Sequence, residues 1–134
     1  MSKNMARSGF SLMEVLVVII IISIAAAISI GNHFRVMEQA LDKEAKVNLT
    51  MVQSAEKTYH MEYTVYYPQT GSTTDIDAVN ENLKVYLPRE SSRKWNYTVN
   101  SDGSVTAVRN VSDGRSWSLG VLDEEPACTG KYCP

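Results

Sequence analysis

The chain has 134 residues, with 13 basic and 15 acidic side chains and a formal net charge of −2. The basic residues form no dense cluster of the kind that binds a phosphate backbone, so direct binding to nucleic acid is not expected. The sequence also lacks a Ser-His-Asp set, the paired carboxylates of a catalytic cleft and a phosphate-binding glycine loop. We therefore expect neither enzyme activity nor a cofactor.

An apolar run occupies residues 10–30, and its one charged side chain is Glu14. As a helix, about 21 residues span roughly 31 Å, the thickness of a bilayer core. Lys3 and Arg7 precede the run, so the positive-inside rule predicts a cytoplasmic amino terminus and a body outside the cytoplasm. A carboxylate in hydrocarbon costs about 2.5–3.5 kcal/mol even on the lenient insertion scale, which makes Glu14 a candidate functional residue.

The sequence GFSLMEV, which starts at Gly9, resembles the processing site of type IV prepilins and related pseudopilins. The shared features are a short basic leader that ends in glycine, then Phe10, then Glu14, then a hydrophobic helix. This resemblance implies that a membrane-embedded prepilin peptidase removes residues 1–9 and methylates the new amino terminus of Phe10. It also implies that the helix is retained, first in inner-membrane lipid and then in an extracellular filament.

A physical reason supports this pairing of Phe10 with Glu14. The new amine and the carboxylate are opposite charges, and two such charges about 4 Å apart attract by about 4 kcal/mol at an effective dielectric near 20. Methylation preserves the positive charge. If the two groups belong to neighbouring subunits, we expect the pair to set the axial register of packed helices.

The resemblance further implies an α+β type IV pilin fold, in which a long helix packs on an antiparallel sheet of about 3–4 strands near the carboxy terminus. The implied function is that of a pilus subunit, and the implied partners are copies of the same chain, an inner-membrane assembly platform, a cytoplasmic ATPase and, in a two-membrane cell, an outer-membrane pore. Such filaments serve motility, adhesion, DNA uptake or secretion.

Two alternatives remain open at this stage. The first is a pseudopilin of type II secretion, although major pseudopilins usually carry a calcium-binding acidic loop near the carboxy terminus, and the adjacent acids 123–125 are more typical of a solvated surface. The second is a secreted binding domain, because residues 15–24 and the small residues 25–27 also fit a signal peptide cleaved after Ala27.

Beyond the apolar run, helical periodicity continues to Tyr63, which predicts a single helix over residues 10–63, about 54 residues and roughly 80 Å long. Residues 31–63 form its amphipathic half, with a stripe predicted to pack on the body at Phe34, Met37, Leu41, Ala45, Asn48, Val52, Ala55, Tyr59 and Tyr63. A thinner stripe, predicted to face neighbouring helices, consists of Val36, Ala40, Val47 and Met51. Gly31 lies between the halves and is a predicted melting point, because an interior glycine costs a helix about 1 kcal/mol relative to alanine.

Residues 64–134 are predicted to form the body. A loop rich in turn residues comes first, followed by a short helix at Ile76–Leu83 that we expect Thr74 and Asp77 to cap. Four strands are predicted, at residues 84–87, Trp95–Asn100, Val105–Arg109 and 116–121. Ser-Asp-Gly turns at residues 101–103 and 112–114 favour a meander.

Cys128 and Cys133 are the two cysteines of the chain, and behind a membrane-targeting segment they indicate a disulfide. The two histidines, His33 and His60, lie far from them along the chain, so no metal site is expected. Four tyrosines between residues 59 and 67 are interpreted as core side chains rather than as an electron-transfer path.

Overall fold

The structure, a computed structural model, describes residues 9–89, 93–111 and 114–134, without the side chains of residues 29–32. The predicted leader therefore lies outside the described residues except for Gly9. The chain divides into two compact units, one up to Gln39 and one from Ala40 onward. The elements, in chain order, are α1 (Leu12–Tyr63), β1 (Ser72–Thr73), α2 (Ile76–Leu83), β2 (Trp95–Asn100), β3 (Val105–Arg109), β4 (Ser116–Leu119) and β5 (Ala127–Thr129).

Helix α1 has 52 residues and begins at Leu12 rather than at the predicted Phe10. The first turn forms where the Ser11 carbonyl accepts hydrogen bonds from the backbone N–H groups of Glu14 and Val15, at 3.0 and 3.2 Å. The helix is continuous through Gly31. The predicted unwinding at this glycine during assembly stays a prediction.

The buried face of α1 matches the predicted stripe in part. Of that stripe, Ala45 and Val52 are buried and Leu41, Ala55 and Tyr59 pack partly buried against the core, whereas Phe34, Met37 and Tyr63 are exposed. The buried positions of the helix are Asp42, Ala45, Leu49, Val52, Gln53 and Glu56. Of the thinner stripe, Val36, Ala40 and Val47 are exposed, whereas Met51 packs against the core. The helical spacing correctly predicted that one face of α1 is buried. Because the stripe was chosen almost entirely by apolar character, it left out the polar residues Asp42, Gln53 and Glu56, which lie on this face.

A five-stranded antiparallel sheet in the order β1-β2-β3-β4-β5 covers the second half of α1. Inward-facing residues alternate along each strand, and the register aligns Tyr97 with Ala107, Ala107 with Trp117, and Trp117 with Cys128. These side chains and the apolar residues of α1 and α2 form one core. The α+β pilin fold predicted from the sequence is confirmed, with five strands instead of about 3–4 because β1 and β5, of two and three residues, were not predicted.

The predicted strand at residues 84–87 is wrong. Lys84 adopts a left-handed conformation, with φ of 55°, and ends α2. Leu87 is fully buried, but its backbone pairs with a side chain instead of a strand, since its N–H donates to Asn80 Oδ1 at 2.7 Å and its carbonyl accepts from Asn80 Nδ2 at 3.1 Å. The Asn80 amide thus takes the place that a neighbouring strand would occupy.

Two further boundaries are corrected. The N-cap of α2 is Asp75 rather than Thr74, because Asp75 Oδ1 accepts from the N–H groups of Asp77 and Ala78. Strand β4 ends at Leu119, two residues before the predicted end. The predicted turn at residues 101–103 is present, with Gly103 at φ of 78°, whereas residues 112 and 113 of the second predicted turn lie outside the described residues.

Candidate functional site

The predicted processing site lies in extended chain just before α1. Gly9 and Phe10 are both exposed and non-helical, and the Phe10 side chain is 79% exposed. Among the described residues other than its chain neighbours, no atom lies within 4 Å of the position that a Cβ on Gly9 would take. Cleavage of the Gly9–Phe10 peptide bond and methylation of Phe10 stay predictions.

Glu14 lies in the first turn of α1. A carboxylate at this end of a helix is stabilised by the exposed backbone N–H groups of the first turn, typically by about 0.3–1 kcal/mol. Within the described part of the chain, Glu14 forms no ion pair. Its carboxylate is thus placed at the head of the helix, two residues after the helix begins, and is available to a cation from outside the chain.

The apolar side chains that follow Glu14 are exposed on every side of the helix. The large hydrophobic residues from Val15 to Ile28 range from 46% exposed at Val15 to 69% at Ile28. Within α1, the most apolar 18-residue window has a mean hydropathy of 2.8 and is not buried at all, so by length and composition this helix could cross a membrane. A helix that is apolar all round requires lipid or other helices around it.

A shallow apolar groove of about 470 Å³ lies at the head of this segment. It is lined by Phe10, Leu12, Val15, Leu16 and Ile19. Glu14 does not line this groove, because helical spacing puts positions 12, 15, 16 and 19 on one face of α1 and position 14 on another.

In the second unit, polar side chains of α1 fasten the helix to the sheet. Asp42 Oδ2 accepts a hydrogen bond from Arg115 Nη1 at 3.1 Å, and Asp42 Oδ1 accepts one from Trp117 Nε1 at 3.2 Å. Asn48 Nδ2 donates to the Tyr97 hydroxyl at 2.7 Å. Burial raises the pKa of Tyr97 to about 12, an effect that the hydrogen bond from Asn48 opposes, so Tyr97 stays neutral.

Gln53 holds the turn after β4. Its Nε2 group donates to the carbonyl oxygens of Gly120 at 2.7 Å and Asp123 at 2.8 Å, with the Val121 carbonyl at 3.4 Å. The turn is also closed internally, since Gly120 N–H donates to Asp123 Oδ2 at 2.8 Å. A single side-chain amide of α1 thus donates hydrogen bonds to the backbone oxygens of Gly120 and Asp123 in this turn.

Glu56 is the third polar residue on the buried face of α1 and has no exposed surface. Its Oε2 atom accepts from the Tyr67 N–H at 2.9 Å. Burial raises the pKa of Glu56 to about 7, and the hydrogen bond from Tyr67 opposes this rise.

The sequence analysis did not identify Asp42, Gln53 or Glu56. A signal for them was present, because residues 42, 45, 49, 52 and 56 have helical spacing of three and four. Ranking positions by apolar character alone hides polar residues on the same face. The sequence cannot show that each of the three has a specific partner in the body.

The predicted disulfide belongs to the second unit. Cys128 and Cys133 form the predicted disulfide, with a Cα–Cα distance of 5.7 Å, which joins β5 to the carboxy-terminal tail. The His60 ring stacks on Tyr66. Over residues 9–89, 93–111 and 114–134, no group of three or more metal-ligating side chains is found.

Comparisons with known proteins agree with this arrangement. Residues 4–30 match the family model described as the prokaryotic N-terminal methylation motif. The chain is 30% identical over 110 residues to the type IV major pilin protein PilA of Myxococcus xanthus, an alignment that covers 82% of this chain and 44% of that protein. The chain thus spans less than half the length of this relative. The methylation motif at the head of a long apolar helix, the antiparallel sheet that follows it and the similarity to PilA together support a type IV pilin.

Proposed function

We propose that the protein is the structural subunit of a type IV pilus, which polymerises through the first half of α1. The observation that carries this proposal is the segment of α1 over residues 12–28, which is exposed and apolar on all sides and has a single carboxylate, Glu14, near its start. Lipid can cover such a surface before assembly, and identical helices can cover it afterwards. The similarity to a protein described as a major pilin supports the same role.

In the filament, Glu14 of one subunit pairs with the methylated amine of Phe10 in the next. The apolar surface supplies most of the cohesion, and the ion pair sets the register, because a one-turn slip would leave two charges without partners in an apolar environment. The groove lined by Phe10, Leu12, Val15, Leu16 and Ile19 receives apolar side chains of the neighbouring subunit.

The turn at residues 120–123 favours a pilin over a major pseudopilin. By the family resemblance, a major pseudopilin usually carries a calcium-binding acidic loop near the carboxy terminus. Here the converging carbonyl oxygens are already bonded to the Gln53 amide, which supplies both of its hydrogens to them. A cation would have to displace this side chain.

Before assembly, the subunit is anchored in the inner membrane with its amino terminus in the cytoplasm. The prepilin peptidase cuts after Gly9 and methylates Phe10, and a platform protein with its ATPase drives extraction into the filament. The match of residues 4–30 to the N-terminal methylation motif supports this route.

Mass spectrometry of the mature amino terminus tests this proposal. The expected result is a chain that begins with N-methylated Phe10, recovered both from membranes and from sheared surface fibres. A chain that begins at Ile28 would show release by signal peptidase and would overturn the proposal. A strain that lacks the protein separates a pilin from a pseudopilin. Loss of surface fibres with normal protein secretion is expected for a pilin, whereas failed secretion is expected for a pseudopilin.

A further inference from the structure

Glu56 is a buried carboxyl group with only one of its oxygens satisfied. Oε2 accepts the Tyr67 N–H, whereas Oε1 is buried and has no hydrogen-bond partner among the described residues. In the same part of the chain, no cation forms an ion pair with Glu56. An ionised carboxylate in such a place is costly, and the neutral acid is much less so.

Tyr67 belongs to residues 64–71, which connect α1 to β1 and are here named the tyrosine loop. The far end of the loop is held by the sheet, since Ser101 N–H donates to the Gly71 carbonyl at 2.9 Å. The ring of Tyr66 lies so close to Gly103 that a Cβ there would be 2.9 Å from it. The hydrogen bond from Tyr67 to Glu56 therefore ties the middle of the loop to α1.

The other ionisable groups around this contact come from every element near it. They are Tyr59 on α1 and Asp75 before α2, which both act on Tyr67, and His60 on α1, whose ring stacks on Tyr66. Asp102 and Asp123 bond to the N–H groups of Ser104 and Gly120. Burial first, and then the charges of Asp75, Tyr59 and Glu56, raise the pKa of Tyr67 and keep its hydroxyl neutral.

We propose that protonation of Glu56 controls how firmly the tyrosine loop closes on α1. The neutral acid keeps Oε2 on the Tyr67 N–H, and the loop stays closed. The ionised form requires a donor for Oε1, which water supplies when the loop lifts. The raised pKa of Glu56, about 7, places this change near neutral pH. The surface of the subunit at the loop therefore differs between mildly acidic and mildly alkaline conditions, whether or not the chain assembles into pili.

Hydrogen–deuterium exchange of the full chain in detergent micelles tests this device. Wild type and Glu56→Gln are compared at equal pH, so that the intrinsic pH dependence of exchange cancels. For the amides of residues 64–71, we expect the ratio of the wild-type exchange rate to the variant exchange rate to rise about tenfold between about pH 6 and about pH 8. This rise follows by linkage if the pKa of Glu56 is ordinary when the loop is open and near 7 when the loop is closed. An unchanged ratio would overturn the proposal.

Two control variants and one direct measurement complete the test. Glu62→Gln changes an exposed glutamate of the same helix, and His60→Gln removes the ring that stacks on Tyr66 of the loop. Both variants are expected to keep the wild-type pH dependence, and a loss in either would contradict the role of Glu56. In the wild-type chain, carbon-13 spectra of labelled glutamate carboxyls should show one group titrating near pH 7. If every glutamate instead titrates below about pH 5.5, the proposal is refuted, and this measurement does not require Glu56→Gln to fold.

Discussion

Asp42 of α1 and Arg115, directly before β4, form a buried ion pair with an Oδ2–Nη1 distance of 3.1 Å. The pair is surrounded by aromatic rings, since the other oxygen of Asp42 accepts from Trp117 and the Arg115 guanidinium lies 5.7 Å from the Trp95 ring centre. Helix and sheet are thus joined by a charge contact within an apolar core. Removal of one partner from such a pair is expected to destabilise the fold more than replacement of both.

Asp42→Ala should lower the free energy of unfolding by about 3–5 kcal/mol, because it leaves the buried guanidinium of Arg115 without its carboxylate. The double variant Asp42→Leu with Arg115→Met should lose less free energy of unfolding than the sum of the losses from Asp42→Leu alone and Arg115→Met alone. Guanidinium unfolding in micelles, followed by the fluorescence of the two tryptophans, measures both values. Additive effects would contradict the coupling.

Gln53→Met removes the amide that bonds the turn at residues 120–123 while preserving the side-chain length. The carbonyl oxygens of Gly120 and Asp123 lose their donor, and we expect a loss of about 1–3 kcal/mol in the free energy of unfolding. Gln39→Met, at an exposed position of the same helix, is the matched control and should have little effect. Equal stability of the two variants would show that the amide contributes nothing.

Glu56 should make the stability of the body depend on pH. Its pKa is raised from the ordinary 4.5 to about 7 in the folded chain, so the folded state binds a proton more tightly than the unfolded state. The resulting stability is fully present below about pH 4.5 and is lost as pH rises through about 7, by about 3 kcal/mol in total. Glu56→Gln should flatten this part of the pH profile of unfolding. A wild-type profile that rises over the same range would contradict the assignment.

The disulfide between Cys128 and Cys133 should contribute modestly. It closes a short loop, for which the chain-entropy model gives about 2 kcal/mol, and it joins β5 to the tail. Replacing both cysteines by serine should lower the midpoint of denaturant unfolding without changing the slope. Reduction of the wild-type chain should give the same shift, and a much larger loss would show that the bridge supports more than the tail.

Glu14→Ala tests the register role in the proposed filament. Membrane levels of the subunit should stay normal, while filament yield should fall at least about tenfold, which corresponds to a loss of about 1.4 kcal/mol in assembly. Glu62→Ala, at an exposed position late in α1, is the control and should assemble normally. Normal fibres from Glu14→Ala would refute the register role.

Much of the fold follows from local patterns. The apolar run, the helical spacing beyond it and the alternating strands around residues 101–103 are each set by short-range periodicity, and these elements were predicted within two residues at most ends. The strand predicted at residues 84–87 failed for a long-range reason, because the Asn80 side chain takes the hydrogen bonds that a strand would need. β1 and β5 are too short to carry a pattern of their own.

The same difference between local patterns and long-range contacts decides which residues of the candidate site the sequence could indicate. Gly9, Phe10 and Glu14 could be proposed from the sequence because the motif is contiguous and a charge in an apolar run stands out, and their roles stay predictions. Asp42, Gln53 and Glu56 were missed because their partners lie at least 11 residues away along the chain, and these partners make burial of a polar side chain tolerable.

The most direct test of the account is a filament structure at side-chain detail. The account predicts that the apolar half of α1 lies in the filament interior and that each Glu14 carboxylate is within ion-pair distance of the methylated Phe10 amine of a neighbouring subunit. Filaments in which these helices face solvent, or in which Glu14 lies away from every Phe10 amine, would contradict it.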